Sequence, residues 1–234
     1  MNLTIVIPTY NEEKILDATI QKVYNFLDEN MVNYKWQIIV ADNGSTDLTI
    51  KIIEGVHKKN PHKIKYIHLP QKGRGRALKE AWKNFPADYY IYMDADLSTD
   101  LKHLKEMIFF LNTGDDIVVG SRLLKNSQTD RSWKREITSR FFNWLLKKIL
   151  FLKTQDSQCG FKGINQKTFA EIIPLVNDNN WFFDTELLFW AQKNNFKIKE
   201  IPVEWTEGER KSKVKVIKTS LNYLKNIWRL RQYV

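Results

Sequence analysis

The sequence predicts an α/β protein whose core is a mostly parallel, doubly wound sheet. In the first 120 residues short apolar runs alternate with longer amphipathic runs, and strands separated by helices of this length indicate βαβ units. The chain has 234 residues, of which 43% are hydrophobic and 27% charged, so it can bury a core on both faces of such a sheet. We therefore expect a single domain over residues 1–234.

The first half of the chain supplies five strands and four helices. Each predicted strand is a short apolar run bounded by polar or turn-forming residues, and each predicted helix repeats its apolar residues every three or four positions. The strands are predicted at Leu3–Ile7, Trp36–Ala41, Ile64–Leu69, Tyr89–Met93 and Ile117–Gly120. The helices are predicted at Glu12–Glu29, Asp47–Lys58, Arg74–Asn84 and Leu101–Asn112.

The second half begins after Ser121, where this rhythm changes. A long helix is predicted at Ser132–Leu152, followed by a turn-rich stretch at Asp156–Gly163. The later elements are helices at Gln166–Val176 and Phe183–Asn195, a strand at Lys197–Trp205 and a last helix at Val214–Arg231. We therefore divide the predicted domain into residues 1–122 and residues 123–234.

The net charge of +10 is concentrated in two segments. Residues 131–153 carry seven Lys or Arg against one Glu, and residues 208–234 carry eight against one. Both segments are also rich in Trp, Phe, Leu and Ile, a combination that fits an anionic membrane surface. Nucleic acid is the other candidate partner of a basic surface, but no nucleic-acid-binding motif is recognisable, so we expect none.

Cysteine and histidine usage and the lengths of the apolar runs indicate the compartment. Cys159 is the only cysteine, which excludes an internal disulfide and fits a reducing, cytoplasmic location. The histidines are scattered along the chain, and we expect all four at the surface: His57, His62, His68 and His103. There is no signal-peptide pattern and no apolar run of about 18 residues, so we expect a soluble or peripheral protein.

Polar side chains follow the first two predicted strands, at the edge where an open parallel sheet binds its ligands. After the first strand the Tyr10 ring can stack on a base, whereas Asn11 and Glu12 are equally well explained as the cap and first turn of the next helix. After the second strand Asp42 can accept a hydrogen bond from a base N–H. The Gly44-Ser45-Thr46 that follows can form a tight turn and a helix cap.

Asp94 and Asp96 follow the fourth strand in Asp94-Ala95-Asp96. Two carboxylates at this spacing repel each other unless a positive charge lies between them. Their hard oxygen atoms suit Mg²⁺ or Mn²⁺, and such an ion bridging a diphosphate would stabilise the charge that develops on a departing nucleoside diphosphate. An isolated pair of this kind is common in loops, and the position after a central strand favours the metal site.

Basic residues lie at two further candidate positions. Arg122 follows the fifth strand, where it can meet a phosphate through two parallel hydrogen bonds. The segment Lys72-Gly73-Arg74-Gly75-Arg76 opens a helix and could lie near a phosphate. It lacks the spacing of a phosphate-binding loop, and a simple helix start explains it better.

Together these motifs resemble the family 2 glycosyltransferases with the GT-A fold. The segments that carry the resemblance are Ile-Pro-Thr-Tyr-Asn-Glu, Asp-Asn-Gly-Ser-Thr-Asp and Asp-Ala-Asp, in the order and spacing of that family. The resemblance implies that residues 1–122 bind the nucleotide sugar and that Asp94 and Asp96 bind the metal. The residues it implies for nucleotide-sugar binding are Pro8, Tyr10, Glu12, Val40, Asp42, Asp94 and Ala95.

Motifs in the second half of the chain narrow the resemblance to one group within this family. Arg122, and Arg135 with Ser139 four residues on, are similar to the acceptor-phosphate site of dolichyl-phosphate sugar synthases, and Lys213 follows Ser212 as in the mannose synthases. The segments most similar to the dolichyl-phosphate glucosyltransferase branch are Asp156–Lys162, Trp181–Glu186 and Val203–Glu207. The mannose synthases place an Arg near Glu207 that this chain lacks, which favours glucose over mannose. The resemblance therefore implies an inverting, metal-dependent hexosyltransferase that uses UDP-glucose and a polyprenyl or dolichyl phosphate.

The chemistry of the acceptor agrees with this implication. A phosphate monoester carries about 1.5–2 negative charges at pH 7, so it can attack without a general base if cations hold it in line. Arg122, Arg135 and Lys213 would supply those cations, with Asp96 among the catalytic groups. Two alternatives stay open: a mannose synthase using GDP-mannose, and transfer to a glycan hydroxyl with Asp184 as general base.

Two amphipathic helices would bring this site to a lipid. Apolar residues fall at helical spacing on one face of each helix, with basic residues beside them, as an interfacial helix requires. The first stripe consists of Phe141, Trp144, Leu145, Ile149 and Leu152; the second consists of Ile217, Leu221, Leu224, Ile227 and Trp228, with Lys218, Lys225 and Arg229 off it. Packing on the core explains each stripe about as well. The expected interfacial helices cover residues 132–152 and 214–231, and the oligomeric state stays open.

Overall fold

The computed structural model describes residues 1–207 and 216–234, with the side chains of residues 216–220 outside the description. The strands are β1 Asn2–Thr9, β2 Lys35–Asn43, β3 Ile64–Leu69, β4 Tyr89–Tyr92, β5 Ile117–Ser121, β6 Gln128–Asp130, β7 Lys162–Asn165, β8 Ile198–Pro202 and β9 Glu204–Thr206. The helices are α1 Leu16–Asn30, α2 Thr49–Lys59, α3 Arg74–Asn84, α4 His103–Asn112, α5 Trp133–Leu150, α6 Gln166–Glu171, α7 Phe183–Lys193 and α8 Val216–Arg231, with a 3-10 helix at Ile173–Leu175.

Seven strands form the main sheet in the order β3-β2-β1-β4-β7-β5-β8. Only β7 runs antiparallel to its neighbours β4 and β5 in this sheet. The predicted fold class, a mostly parallel sheet between helices, is therefore confirmed. The five strands predicted in the first half all occur, with ends that differ by up to two residues.

Helices cover both faces of the sheet, as a doubly wound fold requires. Residues of α1, α2 and α4 pack with Leu3, Ile5 and Ile7 of β1 into one core. Residues of α3, α5, α7 and α8 pack with Val6 and Tyr92 into the other. The side chains of β1 thus alternate between two cores, and each fully buried Leu or Ile contributes about 1.5–3 kcal/mol to folding.

The second half differs from the prediction in four respects. The turn-rich stretch after Asp156 ends in the unpredicted strand β7, and the short strand β6 was also missed. The predicted strand Lys197–Trp205 is split into β8 and β9, because the chain leaves the main sheet after Pro202 and β9 pairs with β6 instead. The predicted helix Gln166–Val176 breaks at Ile172 before Pro174, which has no N–H to continue an α-helical ladder.

Asn11 does not cap the first helix, which begins at Leu16. Its backbone is left-handed, with a φ of 54°. Its N–H donates to Ser45 Oγ at 2.8 Å, and its side-chain oxygen accepts the Thr46 N–H at 2.8 Å. Asn11 therefore joins the loops after β1 and β2. The prediction that Ser45 or Thr46 caps the second helix is also wrong. Both residues bond to Asn11, and the Thr49 N–H at the start of α2 donates to Asp47 Oδ1.

Candidate active site

The carboxyl ends of β1, β2, β4 and β5 meet at one edge of the sheet, because these strands are parallel. In β1 and β2 Pro8 is in register with Ala41, and Thr9 with Asp42. Asp94 follows β4 and Arg122 follows β5 directly. The sequence-predicted polar residues therefore gather at the edge where open α/β sheets bind ligands.

The loop after β1 lies against the segment before α3. Lys72 Nζ lies 4.1 Å from the centroid of the Tyr10 ring and donates to its hydroxyl. The Glu12 N–H donates to Thr49 Oγ1 at 2.8 Å, which ties this loop to α2. Tyr10 is partly exposed at this edge of the sheet.

Asp42 lies fully buried at the end of β2. Its Oδ2 is 2.7 Å from His68 Nδ1, whereas its Oδ1 has no hydrogen-bond partner among the described residues. A buried acceptor without a partner is costly, so this oxygen is suited to a ligand N–H. Val40 lies deeper in β2 with its side chain fully buried, so it supports this edge through packing.

The prediction that all four histidines are surface residues holds for His68 and is wrong for His103, and both side chains have specific partners. His68 is half-exposed but pairs with Asp42, which orients that carboxylate. His103 is largely buried, and its Nε2 accepts the Glu204 N–H at 2.9 Å, which fixes β9 against α4. Both partners are distant in sequence, and spacing alone gave no signal of them.

Asp94 and Asp96 differ in their surroundings. Asp94 is partly enclosed, and its Oδ1 accepts a hydrogen bond from Arg74 Nη2 at 2.9 Å. Asp96 is exposed, and its Oδ1 accepts the Ser98 N–H at 3.0 Å. Ala95 between them is buried, with its carbonyl bonded to Thr19 Oγ1 at 2.7 Å, which anchors the loop to α1.

The donor set at this pair fits Mg²⁺ or Mn²⁺, because it consists of carboxylate oxygens at an accessible edge. No group of three or more His, Cys, Asp or Glu side chains suited to a metal occurs within residues 1–207 and 216–234. The two carboxylates would therefore share the ion with ligand oxygens or water. Enclosure raises the pKa of Asp94; Arg74 opposes that rise and the neighbouring charge of Asp96 adds to it. A bound cation would relieve this repulsion.

Arg74 connects Asp94 to a second, buried carboxylate. Its Nη1 donates to Asp184 Oδ2 at 2.6 Å, and Asp184 Oδ1 accepts a hydrogen bond from Lys162 Nζ at 3.0 Å and one from the Tyr92 hydroxyl. All four side chains are buried. The sequence identified Arg74 only as part of a helix start and gave no role to Tyr92 or Lys162.

The pairing of Asp184 bears directly on the alternative in which it is a general base. Burial alone would raise the pKa of Asp184, but Arg74 and Lys162 outweigh burial and hold the pKa below its ordinary value. Both oxygens already accept hydrogen bonds from these partners. A carboxylate so stabilised as an anion is a weak proton acceptor, which argues against a role of Asp184 as general base.

Arg122 is not free to grip a phosphate through two parallel bonds, so that prediction is corrected. Its Nε and Nη2 donate to the two oxygens of Asp156 at 2.7 and 2.8 Å, and its backbone N–H donates to the same carboxylate at 3.0 Å. Asp156 is fully buried. This fork–fork pair orients Arg122 and leaves it as a fixed positive charge at the end of β5.

A cavity of about 440 Å³ is lined by Asp94, of the predicted donor-side residues, and by Arg122, Arg135 and Ser139, of the predicted acceptor-side residues. Arg74 and Asp184 also line it. Three further lining residues, Gln158, Trp181 and Trp205, belong to the segments that the sequence resemblance singled out. The sequence gave no individual role to the others, which are Arg131, Lys134, Thr138, Phe142 and Tyr223. Five basic side chains and two carboxylates line this cavity, and four of the five bases are held in ion pairs: Arg74 with Asp94 and Asp184, Arg122 with Asp156, Arg131 with Glu136, and Arg135 with Glu207.

Within this cavity Arg135 and Ser139 lie on α5. Arg135 Nη1 pairs with Glu207 Oε1 at 2.8 Å, and Arg131 pairs with Glu136. The Ser139 hydroxyl is buried without a hydrogen-bond partner in the described part of the chain, so it can donate to a ligand oxygen. Lys213 and Ser212, the remaining predicted acceptor residues, lie outside the described residues.

The apolar stripes of α5 and α8 differ from those predicted. Leu145 and Ile149 pack on the core, Leu152 and Ile227 are buried, and Arg229 pairs with the buried Glu186 at 2.8 Å. The exposed apolar residues, here named the aromatic stripes, are Trp133, Ile137, Phe141 and Trp144 of α5 and Leu221, Leu224 and Trp228 of α8. The side chain of Ile217 lies outside the description. Each helix thus carries a core face and a separate exposed apolar face.

The two helices run beside each other along the cavity. The rings of Phe142 and Tyr223, which line the cavity, have centroids 5.0 Å apart. Farther along, Arg231 Nη1 donates to the Ile149 carbonyl at 2.7 Å. Within the described residues, none of the helices has both the length and the apolar character needed to cross a bilayer.

Known proteins are similar to the chain in sequence and in structure. Glycosyltransferase AglD of Haloferax volcanii is 32% identical over 98% of this chain, which spans 38% of that protein. Dolichyl-phosphate beta-glucosyltransferases of Dictyostelium discoideum and Homo sapiens are 32% and 29% identical over 98% of this chain, which spans 73% and 78% of their lengths.

Solved structures show the same fold at low sequence identity. Glucosyl-3-phosphoglycerate synthase of Mycobacterium tuberculosis, in complex with UDP, superimposes with a TM-score of 0.76 at 16% identity, over 99% of this chain and 80% of that one. Its complex with Mn²⁺, UDP and phosphoglyceric acid gives a TM-score of 0.74 at 15% identity, over 98% and 78% of the two chains. The model of the family described as Glycosyl transferase family 2 matches residues 4–173. The expected family is thereby confirmed, and this chain belongs to glycosyl transferase family 2.

Proposed function

We propose that this chain transfers glucose from UDP-glucose to a polyprenyl or dolichyl phosphate, with inversion and with Mg²⁺ or Mn²⁺ as cofactor. The observation that carries the proposal is the cavity in which the metal-side Asp94 faces the basic residues of α5. A donor bound through Asp94 and an anion bound beside α5 would share that space. The names of the dolichyl-phosphate beta-glucosyltransferases support the choice of substrates.

On the donor side, the nucleotide lies at the ends of β1 and β2. Asp42 would accept a hydrogen bond from the base through Oδ1, which has no hydrogen-bond partner in the described part of the chain, and Tyr10 would stack on the base from the loop after β1. Pro8 and Glu12 shape that loop, and Val40 supports it from the core. Residues 1–122 thus form the donor half of the proposed single domain, with Ala95 at its boundary with the cavity.

Asp94 and Asp96 would hold the divalent ion beside the diphosphate. When bound, the ion offsets the negative charge that develops on the leaving nucleoside diphosphate. Arg74 fixes the orientation of Asp94 through two hydrogen bonds, at 2.9 and 3.3 Å, and is itself held by Asp184. Asp96 lies exposed at the same edge, where it can reach a ligand.

On the acceptor side, the phosphate of the lipid would lie between α5 and the end of β5. Ser139 would supply a hydroxyl that has no hydrogen-bond partner among the described residues, and Lys134 would supply positive charge beside the ion-paired Arg131 and Arg135. Arg122 adds a charge whose direction Asp156 fixes. Held in this way, a phosphate oxygen is already a nucleophile, so the attack on the anomeric carbon requires no protein base.

The proposed acceptor also gives the aromatic stripes a function. Exposed Trp and Phe side chains flanked by Lys147, Lys148 and Lys225 would insert into the headgroup region of an anionic membrane. Both helices line the catalytic cavity, so docking through them would bring the phosphate end of a lipid to the site. We propose a peripheral protein on the cytoplasmic face of such a membrane.

A donor screen tests this proposal. The protein is incubated with radiolabelled UDP-glucose, GDP-mannose and other nucleotide sugars, a short polyprenyl phosphate, and Mg²⁺ or Mn²⁺. Label should enter the organic phase from UDP-glucose. Label in the organic phase from GDP-mannose alone would show that the donor sugar is mannose and not glucose. Absence of label in the organic phase with every donor would refute the lipid acceptor.

A further inference from the structure

The turn between α5 and β7 contacts five separate parts of the candidate active site. Its contacts are Asp156 with Arg122, Ser157 with Asn143 of α5, Gln158 with Tyr223 of α8, Gly160 with Asp94, and Lys162 with Asp184. Seven consecutive residues thus reach the donor-side carboxylates, the acceptor-side arginine and both helices that carry the aromatic stripes. We call this segment, residues 156–162, the hub turn.

Gly160 is the point at which the hub turn meets the predicted metal pair. The carboxylate of Asp94 lies directly on its Cα: a Cβ at this position would overlap Oδ2 and Cγ of Asp94 and come within 2.7 Å of Oδ1. Any side chain at residue 160 must therefore displace the Asp94 carboxylate or the turn. The requirement for glycine here is one of space.

The carboxylate cannot move aside cheaply, because its other side is also held. Asp94 Oδ1 accepts hydrogen bonds from Arg74, and Arg74 in turn bonds to the buried Asp184 at 2.6 Å. Asp184 is fixed by Lys162, at the end of the hub turn, at 3.0 Å. Asp94 thus contacts the Gly160 backbone and a buried ion-pair network, and the rest of its carboxylate stays exposed.

We propose that Gly160 is a positioning residue for Asp94, and that the hub turn sets the position of the metal-binding pair relative to the acceptor-side Arg122. This inference rests on the proposed role of Asp94 and Asp96 in holding the metal and the diphosphate. A carboxylate shifted by an added methyl group would bind that metal less well, while the nucleotide contacts at Asp42 would be unaffected.

Calorimetric titration of UDP into the Gly160→Ala protein tests this role. Two titrations are compared, one with Mn²⁺ and one with EDTA. Loss of a group that orients a metal ligand typically costs about 10–100-fold in metal affinity, so we expect UDP with Mn²⁺ to bind at least about tenfold more weakly than to the wild type. In EDTA the affinity for UDP should agree with the wild type within about twofold. A merely destabilised variant would show no such dependence on the metal.

Two other glycines supply matched controls. A Cβ on Gly163 would come within 2.9 Å of Met107 Sδ and 3.0 Å of Leu111 Cδ1, so Gly163→Ala disturbs core packing near the same turn without meeting Asp94. A Cβ on Gly55 of α2 meets nothing within 4 Å. Both variants should bind UDP with Mn²⁺ within about twofold of the wild type.

Three other outcomes would count against the positioning role of Gly160. A folded Gly160→Ala protein with wild-type affinity for UDP and Mn²⁺ would overturn the positioning role. If Gly160→Ala does not fold, the double variant Gly160→Ala/Asp94→Ala removes the overlapping carboxylate and should recover folding, and its failure to do so would refute the proposed contact. Wild-type protein that binds no UDP with Mn²⁺ would instead remove the proposed function and this inference together.

Discussion

Arg74 shows how much of the candidate site depends on single long-range contacts. It bonds to Asp94, 20 residues away, and to Asp184, 110 residues away, and is itself buried. The sequence around Arg74 has the composition of a helix start, and α3 does begin there. Its second role was not predictable from spacing, because both partners come from other parts of the sheet edge.

Replacing Asp184 distinguishes a structural role, as a buried anion, from a catalytic role as a general base. Asp184→Asn leaves Arg74 and Lys162 buried with less compensating charge. Breaking one side of a buried ion pair costs about 3–5 kcal/mol, so we expect the free energy of unfolding in urea to fall by about 3 kcal/mol. The exposed Asp17→Asn is the control. Unchanged stability together with lost turnover would instead support the base.

The ion pairs of Asp184 also predict that the free energy of unfolding depends on pH. Because the pKa of Asp184 lies below its ordinary value of 3.8 in the folded state, its stabilising contribution is present above pH 3.8 and declines as the pH falls below that value. The difference in unfolding free energy between wild type and Asp184→Asn should therefore shrink under acid. A difference that stays constant from pH 6 to about pH 2 would contradict this assignment.

Asp42 and Asp96 should contribute to donor binding in separable ways. Asp42→Ala removes the acceptor for the base, and a lost buried hydrogen bond costs about 1–3 kcal/mol, so UDP should bind roughly tenfold more weakly with or without Mn²⁺. Asp96→Asn should weaken UDP binding only when Mn²⁺ is present. Calorimetry in Mn²⁺ and in EDTA distinguishes them, and equal metal dependence of the two losses would contradict the assignment.

At the scale of elements, the strands could be predicted where their residues are apolar and the neighbouring turns are polar, as in β1 to β5. Strand β7 was missed for a physical reason. It has four residues, Lys162-Gly163-Ile164-Asn165, with a lysine and a glycine in place of an apolar alternation. Lys162 is fully buried because Asp184 compensates its charge. A tertiary ion pair therefore overrides local propensity here.

The amphipathic helices α5 and α8 also depend on tertiary packing that the sequence pattern does not reveal. Helical spacing predicted α5 and α8, but it could not divide their apolar residues between the core and the surface. Arg229, for example, lies off the predicted stripe as expected, yet it binds the buried Glu186 rather than facing a membrane. Residues on neighbouring faces of one helix share nearly the same spacing, so only packing distinguishes them.

The aromatic stripes can be tested as a membrane contact. The triple variant Phe141→Ser, Trp144→Ser and Trp228→Ser removes three exposed rings. Full burial of such a side chain contributes about 1.5–3 kcal/mol, so even partial insertion predicts at least about a tenfold loss of binding to phosphatidylserine-containing vesicles in flotation. Phe109→Ser, an exposed ring on α4, is the matched control. Equal binding by the triple variant and the wild type would refute the contact.

At the scale of the whole molecule, the order of the motifs along the chain was sufficient to predict the fold class and the edge of the sheet at which their polar residues gather. Parallel strands bring Asp42, Asp94 and Arg122 to that edge regardless of detail. What the sequence could not predict is how the charges pair. The Arg122 guanidinium is occupied by Asp156, whereas the Ser139 hydroxyl at the cavity has no hydrogen-bond partner within the described residues.

Metal-dependent transfer of glucose to a phosphate oxygen can be tested with one pair of acceptors. Wild-type protein is given UDP-glucose with either a short polyprenyl phosphate or the corresponding free polyprenol, each with Mn²⁺ and with EDTA. We predict a β-linked glucosyl product from the phosphate only, and none of it in EDTA. Transfer to the free alcohol, or transfer to the phosphate that is unchanged in EDTA, would contradict the account.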